Sequence, residues 1–287
     1  MNPAQIEAFF DPDTFTITYL VTDPATKATA IIDSVLDFTP NNGRTSTASA
    51  ERLIKVIEER GLDINWILET HAHADHLSSS QFLQQKFNAP IGIGAHIIDV
   101  QDVFNALFNL KDNEAGHPED FNKLLKAGDT LTLGELTIEV LHTPGHTPAC
   151  LSYKINDAIF VGDTLFMPDY GTARCDFPGG DAATLYNSIQ QLLSFPDDTR
   201  LFMCHDYMPG GRELKWQSTV AEEKAHNIHV HDGISKQDFI KMRTERDATL
   251  TAPRLILPSI QVNIRAGKMP LAEDNGVSYF KLPIDQI

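Results

Sequence analysis

Apolar residues alternate with threonine over residues 14–21, TFTITYLV, with Phe15, Ile17 and Tyr19 on one side. This period of two predicts a half-buried β-strand. KATAIIDSV (27–35) reads as its hairpin partner, and Asp23-Pro24 supplies the turn. The period lengthens over AERLIKVIEERG (50–61), where apolar residues at 53, 54, 56 and 57 and a terminal Gly61 predict a capped helix. INWILET (64–70) predicts a strand, LSSSQFLQQKF (77–87) a helix and PIGIGA (90–95) a strand. A helix over 97–110, short strands between 127 and 166, an amphipathic helix over 182–195 and a strand over 199–206 follow. The tail from Arg254 mixes prolines with short apolar runs and predicts an ordered wrap. Two β-to-α halves about a shared edge predict an α/β fold, an αββα sandwich. Residues 1–230 would form its main domain, with 231–287 an extension packed on it.

Composition narrows the function classes. The 287 residues are 42% hydrophobic and 22% charged, ordinary for a globular protein able to bury a sizeable core. A net charge of −16 argues against nucleic acid as the main partner, because phosphate backbones require a basic footprint. No apolar run approaches the ~18 residues of a membrane span, and MNPAQIEAFFDPDTF carries no basic segment typical of a secretory signal. Cys150, Cys175 and Cys204 are odd in number and far apart, fitting neither a disulfide framework nor a CxxC module. A reducing, cytoplasmic compartment is expected.

The chemistry concentrates in THAHADHLSSS (70–80), which sets His71, His73, Asp75 and His76 within six positions. Burying such a cluster without a compensating ion carries a large desolvation cost, so it predicts metal binding. Three later residues each follow or end an apolar run: His146 in HTPGHTPAC, Asp163 in FVGDTLF and His205 in MCHDY. Alone, each would read as a cap or a hydrogen-bonded histidine; beside the cluster, they are candidate ligands converging on one strand edge. Imidazole and carboxylate donors suit zinc or iron, and the lack of clustered cysteines argues against an Fe–S centre.

HAHADH, PGH, GD and CHD, in this order across residues 14–207, resemble the metallo-β-lactamase superfamily. Within it, THAHADH, LHTPGHTPACLSY, FVGDTLF, ARCDF and CHDY look most like the persulfide dioxygenases, similar in framework to glyoxalase II. GTARCDFPGGDA and ILPSIQVNIRAG resemble a bacterial branch associated with sulfide detoxification. The resemblance implies an αββα sandwich with the metal site at one edge of its two sheets. Two arrangements fit the same residues. In a dinuclear zinc hydrolase, His71, His73 and His146 would hold one ion, Asp75, His76 and His205 the other, with Asp163 bridging. In a persulfide dioxygenase, one Fe(II) would sit on His71, His146 and Asp163, leaving His73, Asp75, His76 and His205 as outer hydrogen-bonding groups. Spacing leaves both open; the resemblance implies the single iron, with glutathione persulfide and O2 as substrates and sulfite and glutathione as products. The alternatives are a zinc hydroxyacylglutathione (thiolester) hydrolase and a non-enzymatic metal or persulfide sensor.

Glutathione carries two carboxylates, so an acidic chain must offer cations locally. Arg174 is the first candidate, Arg212 and Lys215 follow, and each competes with a solvated-charge reading. By the resemblance, Asp176 and Tyr207 would lie beside the metal pocket and supply hydrogen bonds. Ala173 and Cys175 stand where the mitochondrial-type relatives carry glycine and threonine, and the region beyond His229 extends differently. Both leave the persulfide donor open. Cys175 is a candidate persulfide relay, with an inert small residue the preferred reading. Cys204 is expected to point away from the metal and Cys150 into the core. His226 and His229 have helical i,i+3 spacing, yet AHNIHVHDG with His231 reads better as a polar helix end. His96, His117 and His142 show no partner pattern. The tail 253–287 leaves room for a homodimer in which it covers a neighbouring subunit.

Overall fold

The computed structural model describes residues 3–286. Its first half runs β1 (Gln5–Asp11), β2 (Thr16–Thr22), β3 (Ala28–Ile32), β4 (Val35–Thr39), β5 (Arg44–Ser46), α1 (Ala48–Arg60), β6 (Asp63–Leu68), β7 (Leu77–Ser78), α2 (Ser80–Phe87), β8 (Ile91–Gly94) and α3 (Ile97–Leu107). The chain continues through β9 (Lys123–Leu125), β10 (Thr130–Leu133), β11 (Leu136–His142), β12 (Leu151–Ile155), β13 (Ala158–Phe160), α4 (Ala182–Leu193), β14 (Arg200–Phe202), β15 (Gln217–Thr219), α5 (Val220–His226), α6 (Lys236–Asp247) and α7 (Ile256–Asn263).

Two six-stranded sheets carry the fold, ordered β1-β2-β3-β6-β8-β9 and β10-β11-β12-β13-β14-β15. Ile17, Tyr19 and Val21 of β2 face Ile138, Val140, Tyr153 and Phe160 across the space between them. Outside the first sheet, Leu20, Ile31 and Ile67 pack against Leu53 and Ile57 of α1, Leu83 of α2 and Ile260 of α7. Outside the second, Ile159, Val161 and Leu201 pack against Leu185 and Ile189 of α4 and Phe239 of α6. Helices therefore cover both sheets, and the layers read α, β, β, α, as expected. No helix among the described residues is long and apolar enough to cross a membrane.

Three expectations need correction. β2 is buried on both faces, not half-buried. Its threonines tolerate this because each finds a partner: Thr18 Oγ1 donates to Asp33 O at 2.8 Å and Thr22 pairs with Thr29 at 2.9 Å. Leu77 and Ser78 do not start a helix; they pair with Leu36 and Val35 of β4, and α2 begins at Ser80. The tail is more than a wrap, because α7 places Ile256 and Ile260 in the same core as Ala72 and Ala74 of the histidine loop.

Candidate metal centre

Strand β6 stops at Leu68, and the loop to β7 carries His71, His73, Asp75 and His76. The β11–β12 loop brings His146, the segment after β13 brings Asp163, and the segment after β14 brings His205. β13 and β14 are parallel and end together, so their following residues emerge at one sheet edge. All seven converge there. Ring centroids lie 4.0 Å apart for His71 and His73, 5.1 Å for His71 and His146, and 4.2 Å for His73 and His76. His205 Nε2 stands 3.3 Å from Asp163 Oδ1 and 3.4 Å from Asp75 Oδ2.

Whether this set suits a metal is tested by what its buried atoms lack. His71 Nε2, His73 Nδ1, His76 Nε2, His205 Nε2, Asp75 Oδ2 and Asp163 Oδ1 are all buried without a hydrogen-bond partner. Each such atom costs about 1–3 kcal/mol if left alone. A cation meets their shared requirement. The donor atoms of His71, His146 and Asp163 lie within 4.8 Å of one another, as do those of His73, Asp75 and His76. Burial and the neighbouring imidazoles hold His71 well below the usual histidine range, in the neutral form that metal ligation requires.

The opposite ring nitrogens are anchored, as ligand histidines usually are. His71 Nδ1 meets Thr70 Oγ1 at 3.0 Å, His146 Nδ1 meets Arg174 O at 2.7 Å, and His76 Nδ1 meets Thr16 Oγ1 at 3.2 Å. His73 Nε2 faces Asp33 Oδ1 at 3.0 Å and Glu69 Oε2 at 3.3 Å. Burial alone would depress the His73 pKa, but these two carboxylates carry it well above the usual range. Burial likewise opposes ionisation of Asp33, yet His73 and Thr70 hold its carboxyl below the ordinary range. Asp33, Glu69 and Thr16 were missed by the sequence reading. Asp33 and Glu69 each close an apolar strand-like run, the same signal that marked Asp163.

A cavity of about 350 Å³ opens over Asp75, His146 and Asp163. Phe166, Tyr170, Phe177 and Tyr207 form its aromatic wall, with Tyr170 stacked on Tyr207 at 4.5 Å. Of the expected substrate cations, Arg174 lines this cavity, but its guanidinium is engaged by Asp176 at 2.6 and 2.7 Å and by Thr251 O at 2.7 Å. Asp176 therefore braces Arg174 and does not itself line the cavity. Arg212 and Lys215 need correction. Neither lines the cavity; Arg212 is spent on Asp169 and Asp206, and Lys215 projects from the surface. The other cations that reach it, Arg243, Arg246 and Arg254, come from α6 and the segment after it. Arg243 is buried against Asp247, whereas Arg246 and Arg254 are exposed and make no ion pair among the described residues.

Cys204 does not point away from the histidines. Its Sγ lies 3.6 Å from Asp33 Oδ2, and its thiol groups with the donor atoms of His73 and His205. Cys175 is buried outside the cavity, its thiol pushed up to about 12 by burial and by Asp247, as the inert reading expects. Cys150 is buried as expected. His229 lies beyond the end of α5, so it forms no helical pair with His226; its Nδ1 instead accepts from Thr172 N at 3.0 Å. His231 Nδ1 meets Asp232 O at 2.9 Å, and His142 stacks on His96 at 5.0 Å.

Comparison with known proteins agrees with this geometry. The sequence model described as "Metallo-beta-lactamase superfamily" matches residues 13–205. A probable metallo-hydrolase of Burkholderia pseudomallei is 54% identical over 98% of this chain and 99% of its own length. Glyoxylase B2 of Dictyostelium discoideum is 50% identical over 100% and 99%. The human mitochondrial persulfide dioxygenase ETHE1 is 29% identical over 92% and 89%. The crystal structure of ETHE1 from Myxococcus xanthus superposes with a TM-score of 0.74 at 30% identity, covering 92% of this chain and 100% of that one. Fold, clustered donors and sequence agree: the chain belongs to the metallo-β-lactamase superfamily.

Proposed function

We propose that this chain is an Fe(II)-dependent persulfide dioxygenase acting on glutathione persulfide or a related low-molecular-weight persulfide. The observation that carries the reading is the triad His71, His146 and Asp163, whose donor atoms lie within 4.8 Å of one another, with His146 and Asp163 on the cavity wall. Two imidazoles and one carboxylate on one face suit ferrous iron and leave positions for O2 and a sulfur anion, which the bound metal would bring into reaction. The likeness to ETHE1 proteins supports this choice. The reaction balances as persulfide plus O2 plus water giving thiol, sulfite and two protons: the S–S bond breaks, the outer sulfur is oxidised by O2 and the inner sulfur leaves as thiolate and takes up one proton.

The protein's own part is orientation and exclusion of water. Thr70 and Arg174 O fix the rings of His71 and His146. The aromatic wall, Tyr207 included, gives the cavity an apolar lining beside the candidate metal site. Arg246 and Arg254, exposed and without an ion pair among the described residues, would meet the substrate's carboxylates, and Arg174 lines the same cavity. Replacing both Arg246 and Arg254 by alanine should raise KM for glutathione persulfide about tenfold or more with little change in kcat, the signature of lost uniform binding. An unchanged KM removes them from the substrate site.

One observation favours a second reading, a dinuclear zinc thiolester hydrolase. Asp75 Oδ2, His76 Nε2 and His205 Nε2 also lack hydrogen-bond partners among the described residues, a donor set for a second ion beside one on His71, His73 and His146, and the chain is similar to a glyoxylase B2. Elemental analysis of anaerobically purified protein, paired with an oxygen electrode, separates the two. About one iron per chain and O2 uptake that requires the persulfide is the expected result. Two zinc ions, no O2 uptake and hydrolysis of S-lactoylglutathione would overturn the dioxygenase reading. His73→Ala should largely spare a three-ligand iron site and empty a zinc site.

A further inference from the structure

The loop that carries four of the candidate ligands has few backbone partners of its own, because it links β6 to β7 without ladder pairing. Its carbonyls are nevertheless buried, and buried carbonyls need donors. The donor comes from the far end of the chain. Asn263, the last residue of α7 and 3% exposed, donates from Nδ2 to His73 O at 2.8 Å and to His76 O at 2.7 Å. Its Oδ1 accepts from Ser78 N at 2.8 Å. One side chain thus ties three points of the loop on both sides of Asp75.

The loop also meets α7 through apolar side chains. Ala72 and Ala74, between the histidines, join the core formed by Ile256, Ile260 and Ile264 of α7 and its cap. One face of the loop therefore rests on α7 while the imidazoles leave from the other. Just beyond, Gly267 has a φ of +88°, and a Cβ there would press on Ser78 O at 3.0 Å. Only glycine accommodates both that angle and that approach at no cost.

We propose that Asn263 is a positioning residue for the metal centre. It sets the separation of the His73 and His76 backbones, and so of their metal-facing nitrogens, without touching the ion or the substrate. The segment after residue 253 is on this reading part of the metal site and not an appendage. The inference rests on His73 and His76 ligating the ion, as in the two-zinc arrangement, and is read from Zn(II) binding and not from O2 uptake, so it stands or falls separately from the dioxygenase reading.

The test is metal affinity, measured by reconstituting the full-length apoprotein with Zn(II) alone against a chromogenic chelator. Asn263→Ala removes all three bonds. Asn263→Asp keeps the size and the bond from Ser78 N but turns a carboxylate toward two carbonyls. Ile260→Ala loosens α7 and leaves the amide in place. Both Asn263 variants should bind Zn(II) ten- to a hundredfold more weakly, the range seen for outer-shell partners of metal ligands. Ile260→Ala should keep near-normal affinity even with an equal or larger fall in Tm. The Co(II)-substituted visible spectrum should change in the Asn263 variants and stay unchanged in Ile260→Ala. If Asn263→Ala does not fold, Asn263→Asp decides alone. Normal affinity and spectrum in a folded Asn263 variant, or equal affinity loss in Ile260→Ala, would overturn the proposal.

Discussion

Asp33 shows how much one side chain can organise. Its carboxylate accepts from Thr70 N at 2.7 Å and Thr70 Oγ1 at 2.9 Å, and faces His73 Nε2 at 3.0 Å. Through Thr70 it also reaches His71. Asp33→Asn keeps the shape and removes the charge, so metal affinity should fall ten- to a hundredfold in a chelator competition, with little change in secondary structure by circular dichroism. His229 makes a different prediction. Burial, with Arg243 and Arg246 nearby, lowers its pKa to about 4, and its Nδ1 accepts from Thr172 N. The unfolded chain therefore binds a proton near pH 6.5 that the folded protein refuses until about pH 4. The stability it contributes is complete above pH 6.5 and is lost as pH falls toward 4. His229→Asn keeps an acceptor that does not titrate. The Tm difference between wild type and this variant should shrink in calorimetry between those limits, and a constant difference would exclude the effect.

At the scale of elements, α4 and the His146 loop are built for each other. Ser188 Oγ donates to Pro144 O at 2.6 Å, and Asp181 N donates to Gly145 O at 2.9 Å. Gly145 has a φ of +135°, and a Cβ there would overlap the Leu185 backbone. Gly145→Ala should therefore push α4 and the His146 loop apart, costing on the order of 2 kcal/mol or more in denaturant unfolding and weakening metal binding as well. The elements legible in the sequence include β2, β3, α1, β6, β8, α3, α4 and β14, whose apolar runs are local and clear. α6 was not legible, because KQDFIKMRTERD has few apolar residues and packs chiefly through Phe239 and the buried Arg243–Asp247 pair. β1 was also passed over, although Ile6, Ala8 and Phe10 alternate and its register with β2 spans residues 5 to 11. α7 was hidden by Pro258, which reads as a breaker but falls in the first turn, where no backbone donor is lost.

For the whole molecule, the buried donors are brought together by folding and a cation would satisfy them, which would link metal binding to stability. Removing metal with a chelator should lower Tm, and adding free ion at about 100 times its Kd should restore about 2.7 kcal/mol in unfolding experiments. The acidic surface carries a second consequence. With a net charge of −16, the molecule repels anions everywhere except where cations gather, and among the described residues Arg246 and Arg254 reach the cavity without carboxylate partners.

The sequence by itself determined the layered α/β class and the seven candidate ligands. Hydrophobic period is a local property, and histidines crowded between apolar runs have few other physical uses. Only the tertiary structure decided which charges meet the cavity, which way Cys204 faces and what holds the histidine loop. Asp33, Arg246 and Asn263 act across separations of 40 to 190 residues, as Asp33 with His73 and Asn263 with His73 illustrate. Such partnerships depend on how sheets and helices pack, which no local period encodes.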